Sequence, residues 1–268
     1  MRLHIFGLGY CGTAIGNAAR AAGFVVSATT RHVHDGTALQ AATHVISTVA
    51  PDASGDPILA EHASAIATAP VLRWIGYLSS TAVYGDRGGG WVDEDTPAAP
   101  SGERGHLRLA AENAWSHFAD RHGVDIFRLA GIYGPGRSAF DGLRSGRARR
   151  IIKPGHAFGR VHCDDIVRAA MAAMLQHRTS GMRIFNLTDD EPVEPATVVE
   201  EAARLLGVPP PPGIEFDVAA RTMSPMARSF WAENRKVASS KTQAMLGLTW
   251  RYPNYRDGLQ AILAEERQ

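Results

Sequence analysis

The 268-residue sequence predicts an α/β protein: a doubly wound parallel sheet with helices on both faces and a smaller lobe at its C-terminal end. Three observations carry that expectation. Short β-rich runs alternate with alanine-rich helical stretches over most of the chain, as consecutive βαβ units do. A glycine-rich turn, G-x-G-x-x-G, stands between the first such run and the first helix. In the last third the alternation gives way to prolines and short helical fragments.

The elements follow in order. LHIF at 3–6 reads as the first strand and 13–22 as the helix after it. FVVSATT at 24–30 is the second strand, followed by a helix over 36–42, and HVIST at 44–48 the third, followed by a helix over 57–69. VLRWIGYLSS at 71–80 is the fourth strand, 102–122 its helix, and VDIFRLA at 124–130 the fifth strand. A helix over 164–177, a sixth strand at 183–188 and a helix over 195–206 complete the series, which shows no internal repeat. The four prolines of LLGVPPPPGIEFD cannot occupy a helix interior and favour an extended spacer. Beyond them SPMARSFWAENRK and SSKTQAMLGL read as short helices, and TWRYPNYRDGLQAILAEE closes the chain. The expected division is a sheet domain over 1–190 and a lobe over 191–268, which either carries substrate specificity or caps the sheet.

Charge and cysteine content narrow the class of protein. Lysine and arginine number 28 against 27 acidic residues, a net charge of +1, so no basic surplus is available for a phosphate backbone and nucleic acid is not an expected partner. The chain passes from Met1 straight into a strand-like run and contains no stretch of ~18 apolar residues, which predicts a cytoplasmic protein without membrane association. Cys11 and Cys163 are too few for a disulfide framework and lack metal-ligand spacing, so both are read as free thiols and no metal site is expected.

The glycine turn carries chemistry. Gly7 permits the tight turn, Gly9 lets the backbone approach a pyrophosphate, and Gly12 lets the helix pack against the strand, with phosphate charge held at the helix N-terminus. Its place, directly after a strand and at the head of a helix, separates it from a merely tight βα turn. Cys11, inside the loop, reads as a small filler. The second strand ends Ala28-Thr29-Thr30-Arg31 with no acid, and Asp35 comes only four residues later. The planar donors of Arg31 suit a 2′-phosphate, so NADP is favoured over NAD; otherwise Arg31 simply ends a strand in solvent.

VLRWIGYLSSTAVYGD, followed by GGGWVDEDTPAAP, resembles the extended short-chain dehydrogenase/reductase superfamily, the NAD-dependent epimerase/dehydratase group, whose fold is of Rossmann type. RLAGIYGPGR at 128–137, GRVHCDDIVRAA at 159–170, FNLTDDEPV at 185–193 and NRKVASSKTQAMLGLTWRYPNYRDGL extend the resemblance over nearly the whole chain. It implies hydride transfer between a substrate carbon and a nicotinamide. A tyrosine acts as acid/base, a lysine four residues on lowers its pKa and holds the ribose, and a serine or threonine hydroxyl orients the substrate oxygen. By position that hydroxyl is Ser80, four residues before Tyr84, while Thr48 and Ser79 join Gly7, Gly9, Gly12, Arg31 and Arg108 as cofactor-binding residues. A homodimer is also implied.

The chain departs from the family at its centre. Aligning the pattern Y-x-x-x-K-x-x-x-E on Glu112 puts Arg104 at the tyrosine position and Arg108 at the lysine position. Arginine stays protonated: it gives hydrogen bonds but relays no proton. Arg108 can keep the lysine's contact and is spaced to pair with Glu112, and Arg104 becomes an anion or oxyanion donor. Among groups that might replace the tyrosine, His106 lies roughly 200° around the helix from Arg104. Tyr84 is a candidate that also has a structural reading, and Tyr133 reads as packing against the cofactor. His162 and Asp165 mark a helix entrance, with Asp164 or Asp165 as its cap. The candidate catalytic set is Ser80, Tyr84, Arg104 and Arg108. The combination resembles atypical superfamily members that lack the Tyr/Lys pair. It implies an oxidoreductase or epimerase acting on a sugar-like or anionic small molecule, such as a phosphorylated or nucleotide-linked sugar, with a non-standard acid/base. The alternative is an NADP(H)-binding sensor or scaffold without chemistry.

Overall fold

The computed structural model describes residues 1–30, 36–176 and 180–267. Its centre is a six-stranded sheet, all parallel, in the order Gly181–Leu187, Gly123–Leu129, Trp74–Ser80, His44–Ser47, Arg2–Phe6, Val25–Thr29. Every residue of Gly123–Leu129 is buried, and so is all of Trp74–Ser80 except the half-buried Ser80. Strands buried on both faces belong to a sheet covered on both sides. Ile15 and Ala19 of the helix Tyr10–Ala21 meet Ile166, Ala169 and Ala173 of Cys163–Leu175 on one face. Ile66 of Pro57–Ala67 and Ala111 and Trp115 of Glu103–Ser116 cover the other. Each large side chain so buried contributes roughly 1.5–3 kcal/mol. The expected doubly wound architecture is therefore present.

Element ends shift for local reasons. The first helix starts at Tyr10, three residues earlier than its sequence pattern, because the glycine turn leads directly into it with Gly9 as N-cap. Pro57–Ala67 is fixed by Asp56, whose Oδ1 accepts from the amides of Ile58 (2.9 Å) and Leu59 (3.1 Å). The helix expected over 102–122 ends at Ser116 and continues as turns to residue 121.

The last third is stitched to earlier segments by short parallel pairings. Gly213–Glu215, after the prolines, pairs with Arg150–Ile152, and Lys236–Val237 pairs with Trp91–Val92. Thr242, in the helix Ser240–Leu246, returns to the sheet edge, where its Oγ1 accepts from the Asn186 amide at 2.8 Å. Tyr255–Glu265 packs on Pro195–Leu206 through Leu259, Ile262 and Ala202. The short helix Pro225–Ser229 and the residues after it are thereby carried over the C-terminal ends of the main strands. Among the described residues no helix is long and apolar enough to cross a membrane.

Candidate active site

Strand order reverses between Arg2–Phe6 and His44–Ser47. In open α/β sheets ligands enter the crevice beyond the strand C-termini at such a reversal. A cleft of about 640 Å³ lies there, with Gly9, Tyr10, Cys11 and Thr48 at one end, Ser79, Ser80, Arg104 and Arg108 along it, and residues from 225–237 above it.

The glycine turn is shaped by contact. Gly7 has φ +91°, and a Cβ on Gly12 would stand 2.0 Å from the Gly7 carbonyl oxygen, so neither position accepts a side chain without moving the turn. Thr48 holds the same turn, its Oγ1 donating to the Gly7 carbonyl at 2.8 Å. Gly9 differs: its φ is −76° and a Cβ there would meet nothing within 4 Å, because it faces the open cleft. No side chain caps the helix at Gly9, which leaves first-turn amides for an anion. Arg137, exposed in the cleft wall, sits 5.7 Å over the Tyr10 ring with no carboxylate partner among the described residues. A bare glycine surface, uncapped amides and a nearby cation fit a dinucleotide diphosphate. Arg31, expected at a 2′-phosphate, lies outside the described residues.

The other candidates divide between cleft and core. Ser80 lines the cleft, its Oγ accepting from the Ala82 amide at 3.2 Å and starting the short turn Thr81–Tyr84. That turn carries Tyr84 back into the core. Tyr84 is fully buried under the Arg128 guanidinium (4.7 Å), its hydroxyl donates to Asn186 Oδ1 at 2.8 Å, and burial raises its pKa. It is absent from the described cleft wall, so the structure does not bring the expected catalytic Tyr84 to the cleft.

Glu112 does not pair with Arg108 as their spacing predicts. Arg128, on the strand beneath, reaches it from inside the core: Nη2 lies 2.8 Å from Oε2 and Nε 3.1 Å from Oε1. Ser79 borders the cleft but spends its hydroxyl hydrogen on Glu112 Oε1 at 2.5 Å. Arg108 instead donates through Nη1 to the Leu78 carbonyl (2.8 Å) and the Tyr77 hydroxyl (3.0 Å), which fixes a cation in the cleft wall. Burial pushes the Tyr77 phenol up to about 12, so it stays a neutral partner.

Arg104 is exposed in the cleft, its guanidinium 4.4 Å over the Phe230 ring, with no carboxylate in ion-pair reach among the described residues. Partial desolvation, and secondly Arg108, lower its pKa, yet an arginine remains cationic. His106 faces solvent and its Nδ1 pairs with the Gly102 carbonyl (2.9 Å), away from the cleft. Tyr133 packs against Gly258 and His162 rather than in the cleft. His162, not an aspartate, is the N-cap of Cys163–Leu175, its Nδ1 accepting from the Asp164 amide, while Asp165 accepts from the amides of Arg251 (2.7 Å) and Tyr252 (2.9 Å). The described cleft wall holds no histidine or lysine. Its one tyrosine, Tyr10, donates to the Pro135 carbonyl at 3.0 Å and is raised in pKa by burial.

Sequence reading missed Arg137, Phe158, Met226 and Phe230 in the wall. Arg137 had a signal, a cation closing a Gly-Pro-Gly turn; the other three come from loops whose placement no local pattern encodes.

No protein-family model matches the chain. A solved structure of a functionally unknown conserved protein from Silicibacter pomeroyi is 41% identical, with 98% of each chain covered and a TM-score of 0.89. Human SDR39U1, an epimerase family protein solved with NADPH, is 18% identical over 98% of this chain and 99% of its own, TM-score 0.79. MoeE5 in complex with UDP-glucuronic acid and NAD is 19% identical over 100% and 99%, TM-score 0.79. Among curated proteins, YeeZ of Escherichia coli K12 is 37% identical over 140 residues, 50% of this chain and 47% of its own. The 3-diazoavenalumate denitrifying reductase of a Streptomyces species is 31% identical over 182 residues, 63% of this chain and 58% of its own. The chain thus spans about half the length of the curated relatives it matches.

Sheet, glycine turn and cleft together define a Rossmann-type α/β fold, which the chain shares with the epimerase-family structures it matches. The chain carries Arg104 and Arg108 in the wall of that cleft. It shares one family with the Silicibacter protein.

Proposed function

We propose that the protein is an NADP(H)-dependent oxidoreductase that moves a hydride to or from a small anionic molecule without a tyrosine proton relay. One observation carries the reading: Ser80, Arg104 and Arg108 line the same cleft as the uncapped glycine turn, and among the described residues no histidine, lysine or free phenol accompanies them. The nicotinamide, when bound, supplies or accepts the hydride. Gly9 and the first-turn amides hold the diphosphate, with Arg137 as its counter-charge. Arg108, pinned by Leu78 and Tyr77, keeps the cation of the missing lysine. Ser80 Oγ accepts from the backbone, so its hydrogen is free to orient a substrate oxygen. Arg104 stabilises negative charge gathering on that oxygen, and the balancing proton comes from water. The preference for NADP rests on Thr29-Thr30-Arg31, and the reductase among the relatives supports the reductive direction.

The test follows nicotinamide absorbance with carbonyl compounds, unsaturated acids and sugar nucleotides. Where turnover is found, Arg104→Met and Ser80→Ala each lower kcat by about 10²–10³. Unchanged rates in both variants refute the residue roles. NADPH binding with no hydride exchange across the panel establishes the non-catalytic alternative instead.

A further inference from the structure

We infer that the substrate is a monoanion on an apolar body, an aryl or alkyl carboxylate, and not a nucleotide-linked sugar. The inference rests on the hydride-transfer reading above and begins with the charges of the cleft. Four arginines and two glutamates line it. Arg235 is already paired with Glu233 at 2.6 Å and donates to the Gly85 carbonyl at 2.9 Å. Arg137 stands beside the glycine turn, over Tyr10, where it would meet a cofactor diphosphate. Arg108 is held to Leu78 and Tyr77 in the position of the ribose-binding lysine. Arg104 remains for the substrate, and one guanidinium matches one carboxylate in charge and in fork geometry. The diphosphate of a sugar nucleotide would bring a second uncompensated charge.

The rest of the wall agrees. Phe158, Met226, Phe230 and Val237 line the cleft, and Met226 and Phe230 are 69% and 46% exposed, so part of the wall is apolar surface open to a ligand. The polar side chains among them are used by the protein itself. Glu233 Oε1 accepts from Ser101 Oγ at 2.7 Å, and Ser229 Oγ donates to the Met226 carbonyl at 2.8 Å. A sugar would find its hydroxyls facing rings and thioether, whereas an aromatic or aliphatic chain buries those surfaces. Arg104 over Phe230 sets the anionic end of that apolar patch.

The experiment titrates the full chain, with and without saturating NADP⁺, with trans-cinnamate, its neutral amide cinnamamide, and UDP-glucose, following ligand resonances by NMR and heat by calorimetry. Cinnamate is expected to bind. Arg104→Met weakens it at least about tenfold, Arg104→Lys restores part of the loss, and cinnamamide is indifferent to both. Phe230→Ala weakens cinnamate and cinnamamide alike, and UDP-glucose does not displace cinnamate. The inference is overturned if UDP-glucose binds as tightly as cinnamate, if Arg104→Met leaves cinnamate unchanged, or if neither aromatic probe binds. A chain that fails to bind NADP⁺ refutes the cofactor reading alone, because the cofactor-free titration still reports the Arg104 dependence.

Discussion

Arg128→Met tests the assignment of Glu112 to the core. The Arg128 and Glu112 side chains are 4% and 5% exposed, and three guanidinium-to-carboxylate hydrogen bonds of 2.8–3.2 Å join them. Methionine keeps most of the volume and removes the charge, which leaves a buried carboxylate with the Ser79 hydroxyl as its remaining side-chain donor. Breaking one side of a buried pair costs about 3–5 kcal/mol, because the survivor is neither solvated nor paired. In a chain of this size each kcal/mol shifts the midpoint by ~2–4 °C, so thermal unfolding followed by circular dichroism should fall by roughly 10 °C. Arg108→Met is the control: it removes hydrogen bonds to Leu78 and Tyr77 and costs about 1 kcal/mol. Glu112→Gln, which keeps the acceptor without the charge, should be milder than Arg128→Met. A loss below about 1 kcal/mol in Arg128→Met, or a larger loss in Arg108→Met, would refute the argument and restore the helical Arg108–Glu112 pair that the spacing predicts.

Three further outcomes follow from the same geometry. Gly9→Val, at a position with ordinary φ and nothing within 4 Å of the new Cβ, should leave the unfolding midpoint nearly unchanged and abolish nicotinamide binding, whereas Gly12→Ala, 2.0 Å from the Gly7 carbonyl, should lower both. Tyr84→Phe should cost about 1 kcal/mol in urea unfolding by orphaning Asn186 Oδ1, with cofactor affinity unaltered. Two buried groups give opposed pH slopes. Burial, and next Lys153, lowers His156 to about 4, below the ordinary imidazole, so its contribution is full above ~6.5 and is lost as pH falls toward 4. Burial raises Asp189 to about 8, so ionising it opposes folding and stability declines as pH rises from ~3.9 to about 8. Asp189→Asn should remove the second slope and His156→Phe the first, read as midpoint against pH; a slope that persists in its variant contradicts that assignment.

What was legible in the sequence was what is local. Strand and helix periods and the glycine spacing after LHIF each depend on residues within one turn or one strand of each other. Ser80, Arg104 and Arg108 line the same cleft as the glycine turn. Glu112 was misassigned because helix spacing offers Arg108, while the nearer cation, Arg128, arrives across the sheet from the strand Gly123–Leu129. Tyr84 follows Ser80 in sequence, but the tight turn between them reverses its direction. The apolar side of the cleft was invisible because Phe230 and Met226 belong to a segment brought there by two-residue and three-residue strand pairings that leave no periodic trace.

The most direct measurement is a titration of the purified chain with NADPH and NADH by fluorescence or calorimetry, with Gly9→Val beside it. One saturable site is expected, tighter for NADPH than for NADH, that disappears in Gly9→Val while the fold persists. Failure of both cofactors to bind the natural chain, or undiminished binding by Gly9→Val, would contradict it.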